Sequence, residues 1–217
     1  MSTIAAVTIG QSPREDVVPE MSRLVPGSRW TEAGALDDLD AAAIRALAPA
    51  ATDFPLVTRL RTGETTVVGE HAILPLLQRA VDRLEADLVI VLCSGDFSLR
   101  AHVPILFPGR LLAAAVRAVY GGRRIAVLTP HAGQVRQQED RWGRQGVEAF
   151  VLHASPYGPT DFEAVGVEAR ARAASAIVLD CLGYTLAMKA AVSKASGLPA
   201  VLVRSLTARI AAELVER

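Results

Sequence analysis

Two short frames in this chain end in a thiol. Ile90-Val91-Leu92-Cys93-Ser94-Gly95-Asp96-Phe97 and Ile177-Val178-Leu179-Asp180-Cys181-Leu182-Gly183-Tyr184 each carry an apolar, partly β-branched run into one cysteine, with a glycine two positions later. Cys93 and Cys181 are the 2 cysteines of the chain. Such runs read as buried parallel strands, and the carboxyl ends of parallel strands are where open α/β sheets bind ligands. A thiol placed there twice, on matching frames, suggests two thiols looking into one crevice. The competing reading of either frame alone is a buried, inert cysteine, since Cys-x-Gly after a strand is not specific. Repetition in a chain with no other cysteine favours function.

A second constellation lies near the start. Thr3 to Ile9 reads as a central strand, followed by Gly10-Gln11-Ser12-Pro13-Arg14-Glu15-Asp16. Gly10 permits a tight exit, Ser12 is a good N-cap, and Pro13 suits the first position of a helix. Such a turn would present backbone N–H groups to an anion, with the planar fork of Arg14 beside it for a carboxylate. An ordinary connection between strand and helix is the alternative. Ser12, Ser94 and Thr129 are further candidates for holding a carboxylate or amino group. Phe97 and Tyr184 follow the thiols at similar offsets and either wall a pocket or fill the core. His71, His102, His131 and His153 have no metal-ligand spacing, so no metal site is expected. Gly10-Gln11-Ser12 lacks the lysine and later glycines of a phosphate loop.

The elements that must position these groups alternate. After the first strand, a strand within 28–36 and a short Asp-capped helix within 38–47 are expected. The segments 56–61 and 65–68 flank Thr62-Gly63-Glu64 as a β-hairpin, and 72–84 has helical spacing leading into the strand that ends at Cys93. Ser94-Gly95 and Leu182-Gly183 are placed to open helices. The second half repeats the scheme, with helices at 108–120, 133–144 and 161–174, strands at 124–128 and 147–152, then the run into Cys181. A strand at 200–203 and an amphipathic helix at 205–215 close the chain. This pattern predicts an α/β fold with mainly parallel sheets and helices on both faces.

Bulk properties bound the function. The 217 residues are 51% hydrophobic and 21% charged, enough to bury a core. Mean hydropathy is +0.29. With 23 basic against 23 acidic residues the formal net charge is zero, so neither nucleic acid nor an anionic membrane is an expected partner. The start, Met1-Ser2-Thr3-Ile4, has no basic leader, and apolar stretches break before membrane-spanning length. A soluble, cytoplasmic protein is expected, and in a reducing cytosol the cysteines should be free thiols. Substrate identity and self-association are open at this level.

Thr8-Ile9-Gly10-Gln11-Ser12-Pro13-Arg14, Leu179-Asp180-Cys181-Leu182-Gly183-Tyr184 and Ala208-Arg209-Ile210-Ala211-Ala212-Glu213-Leu214 together resemble the AroM family over nearly the whole chain. That family is similar in plan to the aspartate/glutamate/hydantoin racemases, in which two pseudo-symmetric α/β halves flank an interdomain cleft with one cysteine from each. The resemblance implies a discontinuous first half (1–105 and 205–217) and a second half at 106–204. It also implies a cofactor-independent site in which one of Cys93 and Cys181 removes a proton from a carbon next to a carboxylate and the other protonates the opposite face. The developing enediolate would need preorganised donors, for which Gly10, Gln11, Ser12, Arg14, Ser94, Gly95, Thr129, Leu182, Gly183 and Tyr184 are candidates. Helix N-termini and Arg14 would favour the thiolate. Amino-acid racemases of this plan have Asn-Thr after the first cysteine and Thr-His after the second. Ser94-Gly95-Asp96 and Leu182-Gly183-Tyr184 stand there instead, which points away from glutamate and aspartate as substrates. Asp180 should face away from the thiol and act as a helix cap or structural acceptor. A racemase, epimerase or isomerase of a small carboxylate is the leading reading. The alternatives are a cofactor-free decarboxylase of an activated diacid using one thiol, and a non-catalytic small-molecule-binding or regulatory protein.

Overall fold

The computed structural model describes residues 1–216. The chain divides into two units, one comprising Met1–Pro108 with the segment from Thr207 onward, the other Gly109–Leu206.

The first unit is built on β1 (Thr3–Thr8), β2 (Arg29–Gly34), β5 (Leu88–Val91) and β6 (Ile105–Leu106), in the order β2-β1-β5-β6 and all parallel. All four residues of β5 are buried, as are five of the six in β1, so these inner strands are apolar on both faces. Between β2 and β5 the chain inserts α2 (Ala41–Arg45), the antiparallel hairpin β3 (Pro55–Arg59) and β4 (Thr65–Gly69), and α3 (Glu70–Asp82). Asp40 caps α2, accepting from the Ala43 N–H at 2.8 Å.

The second unit contains α4 (Pro108–Tyr120) except for its first residue, then β7 (Ile125–Thr129), α5 (Val135–Arg144), β8 (Ala149–His153), α6 (Phe162–Ala171), β9 (Ile177–Leu179), α7 (Leu186–Ser196) and β10 (Ala200–Leu202). The last helix, α8 (Val203–Val215), follows. The sheet runs β8-β7-β9-β10, again all parallel. The two sheets therefore share one strand order, with β1 equivalent to β7 and β5 to β9. Gly166 in α6 lets α7 approach closely, because a Cβ there would lie 2.6 Å from the Val192 carbonyl oxygen. That packing fixes the helix downstream of Cys181. No helix among the described residues is long and apolar enough to cross a membrane.

The α/β class and the parallel sheets agree with the pattern of the sequence, but three helix starts differ. The first helix, α1 (Val18–Ser22), begins several residues after Ser12, and Ser12 caps nothing: its N–H and hydroxyl both donate to Asp37, at 2.7 Å each. No helix opens at Ser94-Gly95. The chain from 92 to 104 is irregular and is pinned to α3 by Gln78, which accepts from the Arg100 N–H at 3.0 Å and donates to its carbonyl at 2.9 Å. After Cys181 the helix opens only at Leu186, where Thr185 caps it by accepting from the Met188 N–H at 3.2 Å.

Candidate thiol site

Cys181 sits just past the end of β9, an inner strand of the second sheet. The preceding Asp180 is buried and turned toward α5, its Oδ2 accepting from Trp142 Nε1 at 3.2 Å and Gln138 Nε2 at 3.4 Å. Asp180 is thus a structural acceptor rather than a cap. Cys181 is half-buried, and its Sγ accepts from the Gly183 N–H at 3.4 Å. The rest of the turn is locked in place. The Leu182 carbonyl accepts from the buried Arg204 Nε at 2.8 Å, and the Tyr184 hydroxyl donates to the Ala154 carbonyl at 2.6 Å.

Cys93 repeats this geometry at the end of β5, the equivalent inner strand. It too is half-buried, and its Sγ accepts from the Gly95 N–H at 3.4 Å. Both glycines are required by an aromatic ring laid across the turn. A Cβ on Gly95 would come within 2.7 Å of Phe97 Cζ, and one on Gly183 within 2.6 Å of Tyr157 Cζ and 3.0 Å of Pro156 Cγ. Ser94 is buried beside the first thiol.

The turn after β1 is closed on itself. Its N–H groups donate within the chain: Gly10 to Thr8 Oγ1 at 3.1 Å, Gln11 to the Arg59 carbonyl at 3.1 Å, Ser12 to Asp37 and Arg14 to Glu32 Oε2 at 2.6 Å. Arg14 is only 3% exposed, and its fork holds Asp16, with Nε–Oδ1 at 2.8 Å and Nη2–Oδ2 at 2.9 Å, while Nη1 reaches Thr8 at 3.0 Å. Burial pushes the Asp16 carboxyl upward, but the Arg14 hydrogen bond and charge outweigh it, and its pKa lies below the usual value. Glu32 is shifted up, by burial first and then by the Asp16 and Asp37 charges. The anions at this turn are the chain's own carboxylates. The hairpin is tied to it, since Arg61 donates from its N–H to Gln11 Oε1 at 3.0 Å and from Nε to the Ser12 carbonyl at 2.8 Å.

In the second unit Thr129 ends β7 fully buried, donating to Gln134 Oε1 at 2.6 Å. Tyr184 is 0% exposed and meets Phe162 edge-on at 6.1 Å, so it belongs to the core and walls no pocket. Burial, with the neighbouring Cys181 and Asp180 charges, raises its pKa well above the usual value. Phe97, at 1% exposure, is likewise core. His131 caps the short turn before α5, its Nδ1 accepting from the Gly133 N–H at 3.1 Å. No cluster of three or more metal-ligating side chains occurs among the described residues.

Within the first unit the structure thus gathers Gly10, Gln11, Ser12 and Arg14 at the end of β1, and Cys93, Ser94 and Gly95 at the end of the adjacent β5. Within the second it gathers Thr129 at the end of β7, and Cys181, Leu182, Gly183 and Tyr184 at the end of the adjacent β9. The ring that covers Gly183, Tyr157, was not legible as a neighbour of the thiol turn in the sequence. The signal for it was weak: a lone aromatic in the loop Ser155-Pro156-Tyr157-Gly158-Pro159 following a strand end.

Residues 4–215 match the model of the AroM protein family. Solved structures of the same fold include a maleate isomerase from Pseudomonas putida (15% identity, 95% of this chain and 90% of that one, TM-score 0.61). They also include an arylmalonate decarboxylase (16% identity, 99% and 92%, TM-score 0.60). A third is a glutamate racemase from Bacillus anthracis (11% identity, 99% and 81%, TM-score 0.62). No curated protein sequence matches the chain.

Proposed function

The chain belongs to the AroM family, and from that premise we propose that it is a cofactor-independent enzyme of the racemase, epimerase or isomerase kind, acting by proton transfer at a carbon next to a carboxylate in a small molecule. The observation that carries this reading is the duplicated thiol turn, in which Cys93 and Cys181 end equivalent inner strands and each sulfur accepts from the N–H of the glycine two residues on. Fold likeness to racemases, isomerases and a decarboxylase supports the kind of chemistry.

One cysteine, as thiolate, takes the proton from the substrate carbon, and the electron pair left behind passes into the carboxylate to give an enediolate. The other cysteine, as thiol, returns a proton to the opposite face. The pair ends with its protonation states exchanged and the reverse direction primed. Ser94 is the nearest side-chain candidate for holding the enediolate at the first thiol. Gly10, Gln11, Ser12 and Arg14 act by holding the turn at the carboxyl end of β1 rigid.

The test is a panel of amino acids, hydantoins, and small hydroxy- and dicarboxylates incubated with the protein in heavy water. Deuterium at a single carbon of one compound supports the reading. Release of carbon dioxide from an activated diacid, with one deuterium in the product, would move the assignment to a decarboxylase. Binding without exchange would make the protein a small-molecule binder.

A further inference from the structure

Formal neutrality hides a division of charge. The second unit holds 12 of the 23 basic residues but 7 of the 23 acidic ones, which leaves the matching excess of acid to the first. In a parallel sheet the strands begin, and the helices between them end, on one side. In the second unit that side collects the cations. Arg117, Arg144, Arg170 and Lys194 lie in the last turns of α4, α5, α6 and α7, Arg172 follows α6 directly, and Arg123 and Arg124 lead into β7. All of them are exposed. A cation in the last turn of a helix complements the dipole there, but this does not account for Arg123 and Arg124, which precede a strand. Two of the guanidiniums are also fixed together. Arg172 Cζ lies 4.0 Å and Arg124 Cζ 4.9 Å from the centre of the Phe150 ring, and Arg124 Nη1 donates to the Arg172 carbonyl at 3.4 Å. Glu148 and Glu168 are the carboxylates paired with this group, at 3.8 Å from Arg124 and 3.3 Å from Arg172.

The corresponding side of the first unit has the opposite character. Where β1 begins and α8 ends, a hollow of about 310 Å³ is lined by Met1, Ser2, Ser28, Asp87, Val215 and Glu216 among others. Val215 ends α8, at the negative end of the helix dipole, and Glu213 adds an exposed carboxylate three residues before Glu216. Arg29, next to Ser28, is the cation that opens β2. We propose that the cationic side of the second unit docks on this hollow in a second copy of the chain, with an arginine or lysine side chain entering beside Asp87 and Glu216. Charge complementarity selects that occupant. One chain supplies both the cationic side and the acidic hollow, and its balanced total gives no pull toward nucleic acid or an anionic membrane. Within the second unit Cys181 stands at the carboxyl end of β9, the other end of the sheet from the docking side, so association leaves this thiol open.

Sedimentation velocity over a concentration series reads the association. The expected result is a mean mass that rises with concentration at about 20 mM salt, and an association constant that falls about tenfold or more at about 300 mM, where exposed charges are screened. Arg144→Glu combined with Arg170→Glu and Lys194→Glu should sediment as a monomer. So should Glu213→Lys combined with Glu216→Lys. Mixed in equal amounts, the two variants should associate again, because each now carries the charge that the other lacks. Urea midpoints and the alkylation rate at Cys181 should match the wild type in both. A monomer at every concentration and salt overturns the proposal, as does association indifferent to salt and to both reversals, or variants that fail to recover one another on mixing. Retention of the monomer on heparin, lost with the three arginine and lysine reversals, would also overturn it and assign the cationic side to a polyanion.

Discussion

The N–H of Gly183 donates to Cys181 Sγ at 3.4 Å, and the turn that holds it is fixed on either side by Arg204 and Tyr184. Gly95 and Cys93 repeat the relationship at 3.4 Å on the equivalent strand of the other sheet. Equal geometry at two places distant in the chain, reached by unrelated flanking side chains, is hard to ascribe to packing alone. Both thiols are only half-buried, so both cysteines should alkylate under native conditions at pH 7. Competition between the protein and free cysteine for iodoacetamide checks this. Rates well below that of free cysteine at both positions would mark the thiols as inert.

Gly183→Ala and Gly95→Ala should each destabilise the fold by about 1–3 kcal/mol, because the added Cβ overpacks against Tyr157 and Pro156 in one turn and against Phe97 in the other. Urea unfolding reads the loss. The Gly183 substitution should also change the alkylation rate of Cys181, since relief of the clash moves either the ring or the turn.

Tyr184→Phe leaves the buried Ala154 carbonyl without its 2.6 Å donor and should cost about 1–2 kcal/mol. Because that bond also fixes the cysteine turn, alkylation of Cys181 should change only in step with this loss of stability. A large fall in thiol reactivity with no loss of stability would return Tyr184 to the site.

His71 and Asp53 form an ion pair at the start of α3, with Nδ1–Oδ1 at 2.8 Å. The Asp53 hydrogen bond and charge raise the His71 pKa above its usual 6.5. A raised histidine contributes stability that is fully present below about 6.5 and is lost as pH rises through the folded-state value. The stability difference between the wild type and His71→Ala should therefore shrink on going from pH 6 to alkaline pH. Urea midpoints of both proteins across that range check the sign. A difference that grows with pH would contradict the pairing.

The strands were legible because buried parallel strands leave continuous apolar runs, and Leu88–Val91 and Ile177–Leu179 are such runs. The two cysteines were legible because each stands where such a run stops. What followed the strands was not. Ser12 carries the marks of an N-cap, yet Asp37, far along the chain, competes for its N–H and hydroxyl and wins both. Arg14 likewise fits a ligand carboxylate until Asp16 takes its fork. The cover that Tyr157 gives Gly183 was not legible, because a glycine signals only the absence of a side chain, and which ring fills that absence is a tertiary fact.

The central claim, proton transfer by one thiol from each unit, is tested most directly by solvent isotope exchange with single-cysteine variants. A substrate found in the screen is supplied as one stereoisomer in heavy water to the wild type, Cys93→Ala and Cys181→Ala. The account predicts that the wild type inverts the centre with one solvent deuterium incorporated, and that both variants lose inversion. Undiminished inversion in either variant would contradict it.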